Sequence, residues 1–277
     1  MRTLKLTIAY DGTAYSGWQR QENAQGVQAV VEDTLAAIVG EPVTIMGAGR
    51  TDAGVHAAAQ VASGRIEHAI NVDDLVRALN IRLPRDIRVR QVEEMFAGFD
   101  ARFHAVSKTY RYSMWNGAEP GPFLRPFLWH LPYGLDLAAM QEAARLLLGE
   151  HDFAAFQGSG GSVKTTVRRL LVSDLRQVDV DEGHLLTLPR TERDEARANR
   201  LLRYEVTGTG FLRHMVRAII GTLVEVGRGR ISVDDLVDIM ASRDRGRAGM
   251  NAPPHGLMLW NVRYEEKKQK GEDRSGF

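Results

Sequence analysis

The chain of 277 residues contains no cysteine. That one absence excludes disulfides, thiolate-held zinc, iron–sulfur clusters and a cysteine nucleophile. No stretch approaches the roughly 20 apolar residues that a membrane-spanning helix needs. The start, Met1 to Tyr10, alternates apolar and polar side chains like a strand and does not read as a signal peptide, so the cytoplasm is the expected location. A Walker loop and a His-Glu-x-x-His pair are both missing, and the eight histidines show no ligand spacing. Gly47-Ala-Gly49-Arg-Thr-Asp52 starts like a dinucleotide loop and then breaks, because Asp52 stands where the third glycine would be. A nicotinamide cofactor is therefore not expected. Charge of one sign is missing too: 36 basic residues face 35 acidic ones. A net +1 is uninformative by itself, since a near-neutral total can hide a basic groove.

What is present is an alternation of strands and helices. Leu4, Leu6 and Ile8 predict a half-buried strand that ends at Asp11-Gly12. Val27, Val30, Val31, Leu35 and Ile38 share one face of a helix over 27–39, closed by Gly40. Strands follow near 44–46, 60–65, 87–95 and 107–114. Asn71 caps a helix to Asn80, with Asp73 and Asp74 in its first turn. The second half repeats the style, with a helix over 136–148, strands over 165–178 and 201–207, a helix over 211–226, another after Ser232, and a strand over 257–264. Ile70 to Val76 and Ile231 to Val237 are alike in sequence. They are either two independent good helix starts or the mark of two related halves. The class is α+β, with a split near residue 105 into an N-terminal half (1–105) and a C-terminal half (106–264). The polar run 181–200 reads as a hairpin tip or inserted loop, and 265–277 as a disordered tail.

Three constellations carry chemistry. In Gly47 to Ala57, three glycines within eight residues allow tight turns and close approach of a ligand, and Arg50 and Asp52 lie two apart. An arginine there can grip phosphate while the carboxylate faces a sugar or base. The plainer account is a glycine-rich turn with a surface ion pair worth about 0–1 kcal/mol. In Phe99 to Tyr112, aromatic rings interleave with Arg102, Lys108 and Arg111. Rings for stacking and cations for the backbone suit flipped or single-stranded bases, at about 1–3 kcal/mol per stacked base. Strand alternation sends Tyr110 and Tyr112 one way and Arg111 the other. In Thr207 to Arg217, Arg213 and Arg217 are four apart on a helix and share a face. From Arg200 to Arg230, six arginines meet two glutamates, a local excess of +4. Arg217 sits among Met215, Val216, Ala218 and Ile219, and a guanidinium in that setting wants a carboxylate partner.

Together these segments resemble the TruA-type tRNA pseudouridine synthases. The resemblance is carried by Tyr10-Asp-Gly-Thr-Ala-Tyr-Ser-Gly-Trp-Gln-Arg20, the run Gly47 to Ala57, Ala101 to Tyr112, Gly210-Phe-Leu-Arg-His-Met-Val-Arg217 and Ala252-Pro-Pro-His-Gly-Leu257. They lie in order along nearly the whole chain, and the longer polar insertion near 181–200 is the main departure. The resemblance implies that Asp52 is the catalytic aspartate, that Tyr110 stacks on the target uracil, that Arg217 pairs with Asp52, and that Arg50 helps displace the base. Leu257, Arg213 and Arg111 complete the expected substrate-binding set. It implies a homodimer without metal or cofactor that acts on tRNA uridines 38, 39 and 40 in the anticodon stem-loop. The fold implied is two pseudo-symmetric halves sharing a long mixed, mainly antiparallel sheet, with helices on one face and a central basic cleft.

The chemistry agrees. Pseudouridine forms when the bond from ribose C1′ to N1 breaks, the uracil turns and C5 takes the place of N1, so no outside reactant is needed. One carboxylate can act as nucleophile or base. Whether Asp52 attacks C1′, attacks C6 or removes a ribose proton stays open. The base must first be flipped out, at a cost of a few kcal/mol. Burial beside uracil disfavours an ionised carboxylate and a nearby guanidinium restores it, which gives Arg217 a reason to occupy an apolar helix. A non-catalytic RNA-binding module would use the same rings and cations but leaves Asp52 unexplained. A sugar-phosphate enzyme would use the glycines and Arg50 but leaves the aromatic strand unused. For His56, His104 and His214 the expectation is packing or hydrogen bonding.

Overall fold

The computed structural model describes residues 1–161, 163–179 and 199–265. The alternation at the start becomes β1 (Arg2–Tyr10), which buries Leu4, Leu6, Ile8 and Tyr10 and leaves Lys5 and Thr7 half covered. Helix α1 (Val27–Val39) buries Val27, Val31, Leu35 and Val39 and stops where Gly40 takes φ +76°. After β2 (Ile45–Gly47) and β3 (His56–Ile66) comes α2 (Val72–Arg82), whose cap Asn71 accepts from the Asp73 N–H at 2.9 Å. Strands β4 (Ile87–Met95) and β5 (Ala105–Asn116) follow. Next come β6 (Trp129–Leu131), α3 (Leu137–Leu146) and β7 (Gly149–Asp152). The described chain ends with β8 (Val167–Val178), β9 (Arg200–Gly208), α4 (Met215–Gly227), α5 (Val233–Ser242) and β10 (Leu257–Tyr264). Ser232 and Asp235 cap α5 reciprocally, the same device that starts α2 with one more bond.

All ten strands join one sheet in the order β4-β1-β3-β10-β5-β9-β8-β7, with β2 added to β3 and β6 to β5. Every pairing is antiparallel except β3 with β10 and β5 with β6. The architecture is α+β. Where β3 meets β10 the ladder is only two residue pairs long, Met258 with His56 and Leu259 with Ala57. One face of the sheet is thoroughly buried: Tyr110, Tyr112 and Met114 lie opposite Val206, Tyr204 and Leu202 in register. The other face shows Arg111 opposite Glu205, and Ser113 opposite Arg203. Helix α4 is apolar nearly all round, as a core helix should be. Of its thirteen residues only Arg217 and Glu225 are not buried. Among the described residues no helix is long and apolar enough to cross a membrane.

The structure corrects three readings. The helix expected from Phe211 begins at Met215, because His214 takes left-handed backbone at φ +59°. Arg213 is therefore in the turn before α4 and does not share a helical face with Arg217. The helix expected to reach Leu148 stops at Leu146, and Gly149 opens β7. Strands β6 and β7, three and four residues long, carry too little alternation to be read from sequence. Most of the insertion, 180–198, and the tail from 266 lie outside the described residues.

Candidate active site

Asp52 lies in the loop from β2 to β3, and the first motif of the chain backs that loop. Trp18 N–H donates to the Thr51 carbonyl at 3.1 Å, and the Tyr10 hydroxyl meets Thr51 Oγ1 at 2.8 Å. Gln60 Nε2 donates to the Gly49 carbonyl at 2.9 Å. Val55 N–H closes a turn on the Asp52 carbonyl at 3.1 Å. Two glycines are fixed by close approach. A Cβ on Gly17, at φ +94°, would stand 2.4 Å from the Thr51 carbonyl oxygen, and one on Gly47 would stand 2.4 Å from the Trp18 indole nitrogen. The inner side of the loop is thus bonded and packed, and Thr51 points inward. Helix α1 grips β2 as well: the buried Glu32 carboxylate accepts from Ile45 N–H at 2.9 Å, and Gln28 donates to the Ile45 carbonyl at 2.9 Å.

Two side chains from the α4 entrance reach one oxygen of Asp52. Arg217 Nη1 stands 3.4 Å from Oδ2, and His214 Nε2 stands 3.6 Å from the same atom. The Arg217 side chain is 15% exposed and that of Asp52 32%. Arg217 does not swing freely, since its Nε donates to the Ala252 carbonyl at 2.7 Å while Ala252 N–H donates to the Arg217 carbonyl at 3.0 Å. This accounts for the last motif. Ala252 fixes the guanidinium, Pro253 accepts from the Tyr112 hydroxyl at 2.9 Å, and Gly256 lies against the Tyr112 ring. Leu257 is buried at the start of β10, opposite Tyr112, two positions before Leu259 opposite Tyr110.

Tyr110 is buried with Phe211 edge-on at 5.1 Å. Burial first, then the Tyr10 and Asp52 oxygens nearby, push its pKa up, so the ring presents an uncharged hydroxyl. Burial likewise pushes Tyr10 up to about 12. His214 is moved down: burial leads, the Arg217, Arg213 and Arg245 guanidinia add to it, and Asp52 opposes. Lys108 lies beside Gly49, its Nζ 3.5 Å from where a Cβ there would be, and burial and Arg102 lower its pKa.

The structure therefore gathers Asp52, Arg217 and Tyr110, with Leu257 on the same face of the sheet as Tyr110. Arg50 is exposed at the rim with no ion pair among the described residues. Arg213 Nη1 donates to the Ser159 carbonyl at 3.0 Å and does not pair with Asp52. Arg111 is not brought here. Its Nε donates to Glu205 at 2.6 Å and its guanidinium stacks 3.7 Å over Trp260, on the opposite face of the sheet. Two members were not assigned to the site from sequence: Lys108, counted only among the cations of its segment although it shares the parity of Tyr110 along β5, and His214, expected only to pack or hydrogen-bond. The other motif histidines are structural as expected. His56 accepts from Gly12 N–H at 3.0 Å, and His104 stacks on Phe99. Among the described residues no three His, Asp or Glu side chains gather as a metal-binding group.

A partly exposed carboxylate on a braced loop, beside a guanidinium and buried rings, suits an isomerisation within one bound molecule. A model of the tRNA pseudouridine synthase family matches residues 6–104 and 143–265, which places the chain among the isomerases that convert uridine to pseudouridine in tRNA. It is 42% identical over 264 residues to tRNA pseudouridine synthase A of Geobacter sulfurreducens, covering 95% of this chain and 100% of that one. It is 44% identical over 268 residues to that of Citrifermentans bemidjiense, covering 96% and 99%. With the enzyme of the same name from Thermoanaerobacter sp. the identity is 39% over 264 residues, covering 95% and 100%. The chain belongs to the tRNA pseudouridine synthase family.

Proposed function

We propose that this enzyme isomerises uridines 38, 39 and 40 of the tRNA anticodon stem-loop, with Asp52 as its catalytic carboxylate. What carries the reading is the single outward-facing carboxylate with Arg217 and His214 at one oxygen, which leaves the other oxygen for the nucleoside. Arg217 holds the orientation of Asp52 as the uracil covers it. Tyr110 is the floor on which the base stacks, and Leu257 packs at its edge. Arg50 enters the stem in place of the displaced base, and Arg213 meets the backbone beside it. Arg111, engaged with Glu205 and Trp260 across the sheet, has no part in the reaction. The enzyme works as a cytoplasmic homodimer, as the family resemblance implies. The chain is two related halves meeting where β3 pairs with β10, and the like caps of α2 and α5 support that division.

The experiment is release of tritium from tRNA labelled at uridine C5, by the wild type and by Asp52→Asn. Release by the wild type alone supports both the reaction and the residue. Binding without release by either returns the non-catalytic RNA-binding reading. Release by both leaves the reaction standing and removes Asp52 from its role.

A further inference from the structure

His214 and Arg243 are the two non-glycine residues with positive φ among the described residues. Left-handed backbone under a side chain is disfavoured and persists where the surroundings over-determine it, often at functional sites. At His214 the surroundings are visible. Gly158 N–H donates to the Arg213 carbonyl at 2.8 Å, and a Cβ on Gly158 would stand 2.5 Å from His214 Nδ1. Gly158 is glycine because the imidazole lies against its backbone. The turn and this contact together hold Nε2 3.6 Å from Asp52 Oδ2. That separation is just beyond a hydrogen bond, and catalytic hydrogen bonds are often long before substrate arrives and tighten afterwards.

We propose that His214 is a positioning residue for Asp52: in the substrate complex its uncharged imidazole donates Nε2–H to Oδ2 and so aims Oδ1 at the ribosyl-uracil. The proposal rests on the reading of Asp52 as the catalytic carboxylate. Four charged groups face the ring: Asp52 from the β2–β3 loop, Arg217 from α4, Arg213 from the turn before it, and Arg245 from beyond α5. Burial and three guanidinia disfavour the imidazolium and only Asp52 favours it, so the ring stays neutral to lower pH than an ordinary histidine. This sign suits the task. A neutral donor orients a carboxylate without quenching it, whereas an imidazolium would join Arg217 and tie the same oxygen into a second ion pair. Turnover should fall as pH drops through the lowered His214 pKa.

The test compares wild type, His214→Gln, His214→Ala and Asp52→Asn, all checked for folding by thermal melting. Single-turnover tritium release is followed from acid to neutral pH, and the imidazole of the wild type and Asp52→Asn is titrated by NMR. The expected result is that His214→Ala slows saturated turnover about 10- to 150-fold, the size of a hydrogen bond to a charged group, with KM within about twofold. His214→Gln, which keeps an N–H donor and cannot titrate, recovers most of the rate and loses the histidine's share of the acid limb. The His214 titration lies below its ordinary value and moves lower still in Asp52→Asn. Wild-type turnover in His214→Ala overturns the proposal, as does a Gln variant as slow as the Ala one, or a titration indifferent to Asp52→Asn. If His214→Ala does not fold, the Gln profile and the titration decide. Release by Asp52→Asn would overturn the reading of Asp52, and the titration would still report whether the two groups are in contact.

Discussion

Removing the Arg217 guanidinium by Arg217→Ala should cost turnover far more than RNA binding. At 3.4 Å and an effective dielectric of about 20, two unit charges attract by about 5 kcal/mol. Asp52 is 32% exposed, so water replaces part of that attraction when the arginine goes. The cost lies between about 0–1 kcal/mol for an exposed ion pair and about 3–5 kcal/mol for breaking a buried one. A loss of about 2–3 kcal/mol follows, which is about 30- to 150-fold in the single-turnover rate constant. Binding should change only a few-fold, because Arg217 faces Asp52 and Ala252 and is mostly covered. Arg217→Lys should rescue little, since one ammonium cannot hold the Ala252 carbonyl and Asp52 in the arginine's fixed geometry. The assay is tritium release with enzyme in excess over labelled tRNA, beside filter-binding Kd values and a melting curve for each variant. Equal losses in rate and affinity would refute the reasoning, as would an Arg217→Ala rate within about threefold of wild type.

Gly17→Ala sets a Cβ 2.4 Å from the Thr51 carbonyl at φ +94°, so the Asp52 loop must shift. It should lower stability by about 1–3 kcal/mol and turnover more than tenfold, read by melting and tritium release; unchanged turnover would mean that the loop is not set by this contact. Asp152 accepts from Thr166 Oγ1 at 2.5 Å and Ala154 N–H at 3.0 Å and pairs with Arg243, which hold its pKa below the ordinary value of an aspartate. Its contribution is present above that value and is lost as pH falls through the lower folded one. Asp152→Asn should therefore destabilise by about 1 kcal/mol at pH 7 in urea titrations, and less below about pH 3. Arg111→Ala should lower the melting temperature by several degrees through the loss of Glu205 and Trp260 contacts, with tRNA affinity within about twofold; a larger loss of affinity would return Arg111 to the RNA surface.

Features whose causes are local were legible in the sequence. Asn71 and Ser232 start helices because their own side chains cap the next turn, and Gly40 ends α1 because a left-handed residue closes it. The start of α4 was not legible. Phe211 and Leu212 fit a helical period, and what stops them is the ring of His214 against Gly158, 56 positions earlier in the chain. Arg111 is instructive in another way. Alternation along β5 already set it opposite Tyr110, so one residue could join the site only if the other did not. The same parity placed Lys108 with Tyr110, a signal that was present but unused. The glycines of the motifs were legible as tight places, whereas their partners, Trp18 over Gly47 and Thr51 against Gly17, required the fold.

The distances at Asp52 also say how the site is held. Ion-paired N–H to O contacts run about 2.7–2.9 Å when fully formed, and both neighbours of Oδ2 stop about half an ångström or more short of that. Asp52 is braced from β1, α1 and β3, while Arg217 and His214 are delivered by α4 and the turn before it. Arg217 is further tied to Ala252, just before β10. The two sides of the gap thus belong to elements on either side of the β3–β10 pairing, which is two residue pairs long. On the proposed reading, a uracil stacked on Tyr110 would exclude water from the carboxylate and strengthen its attraction to the groups around it. Closer approach of Arg217 and His214 to Oδ2 is the expected outcome in the RNA complex, and a structure with bound RNA in which the two distances stay at 3.4 and 3.6 Å would refute it.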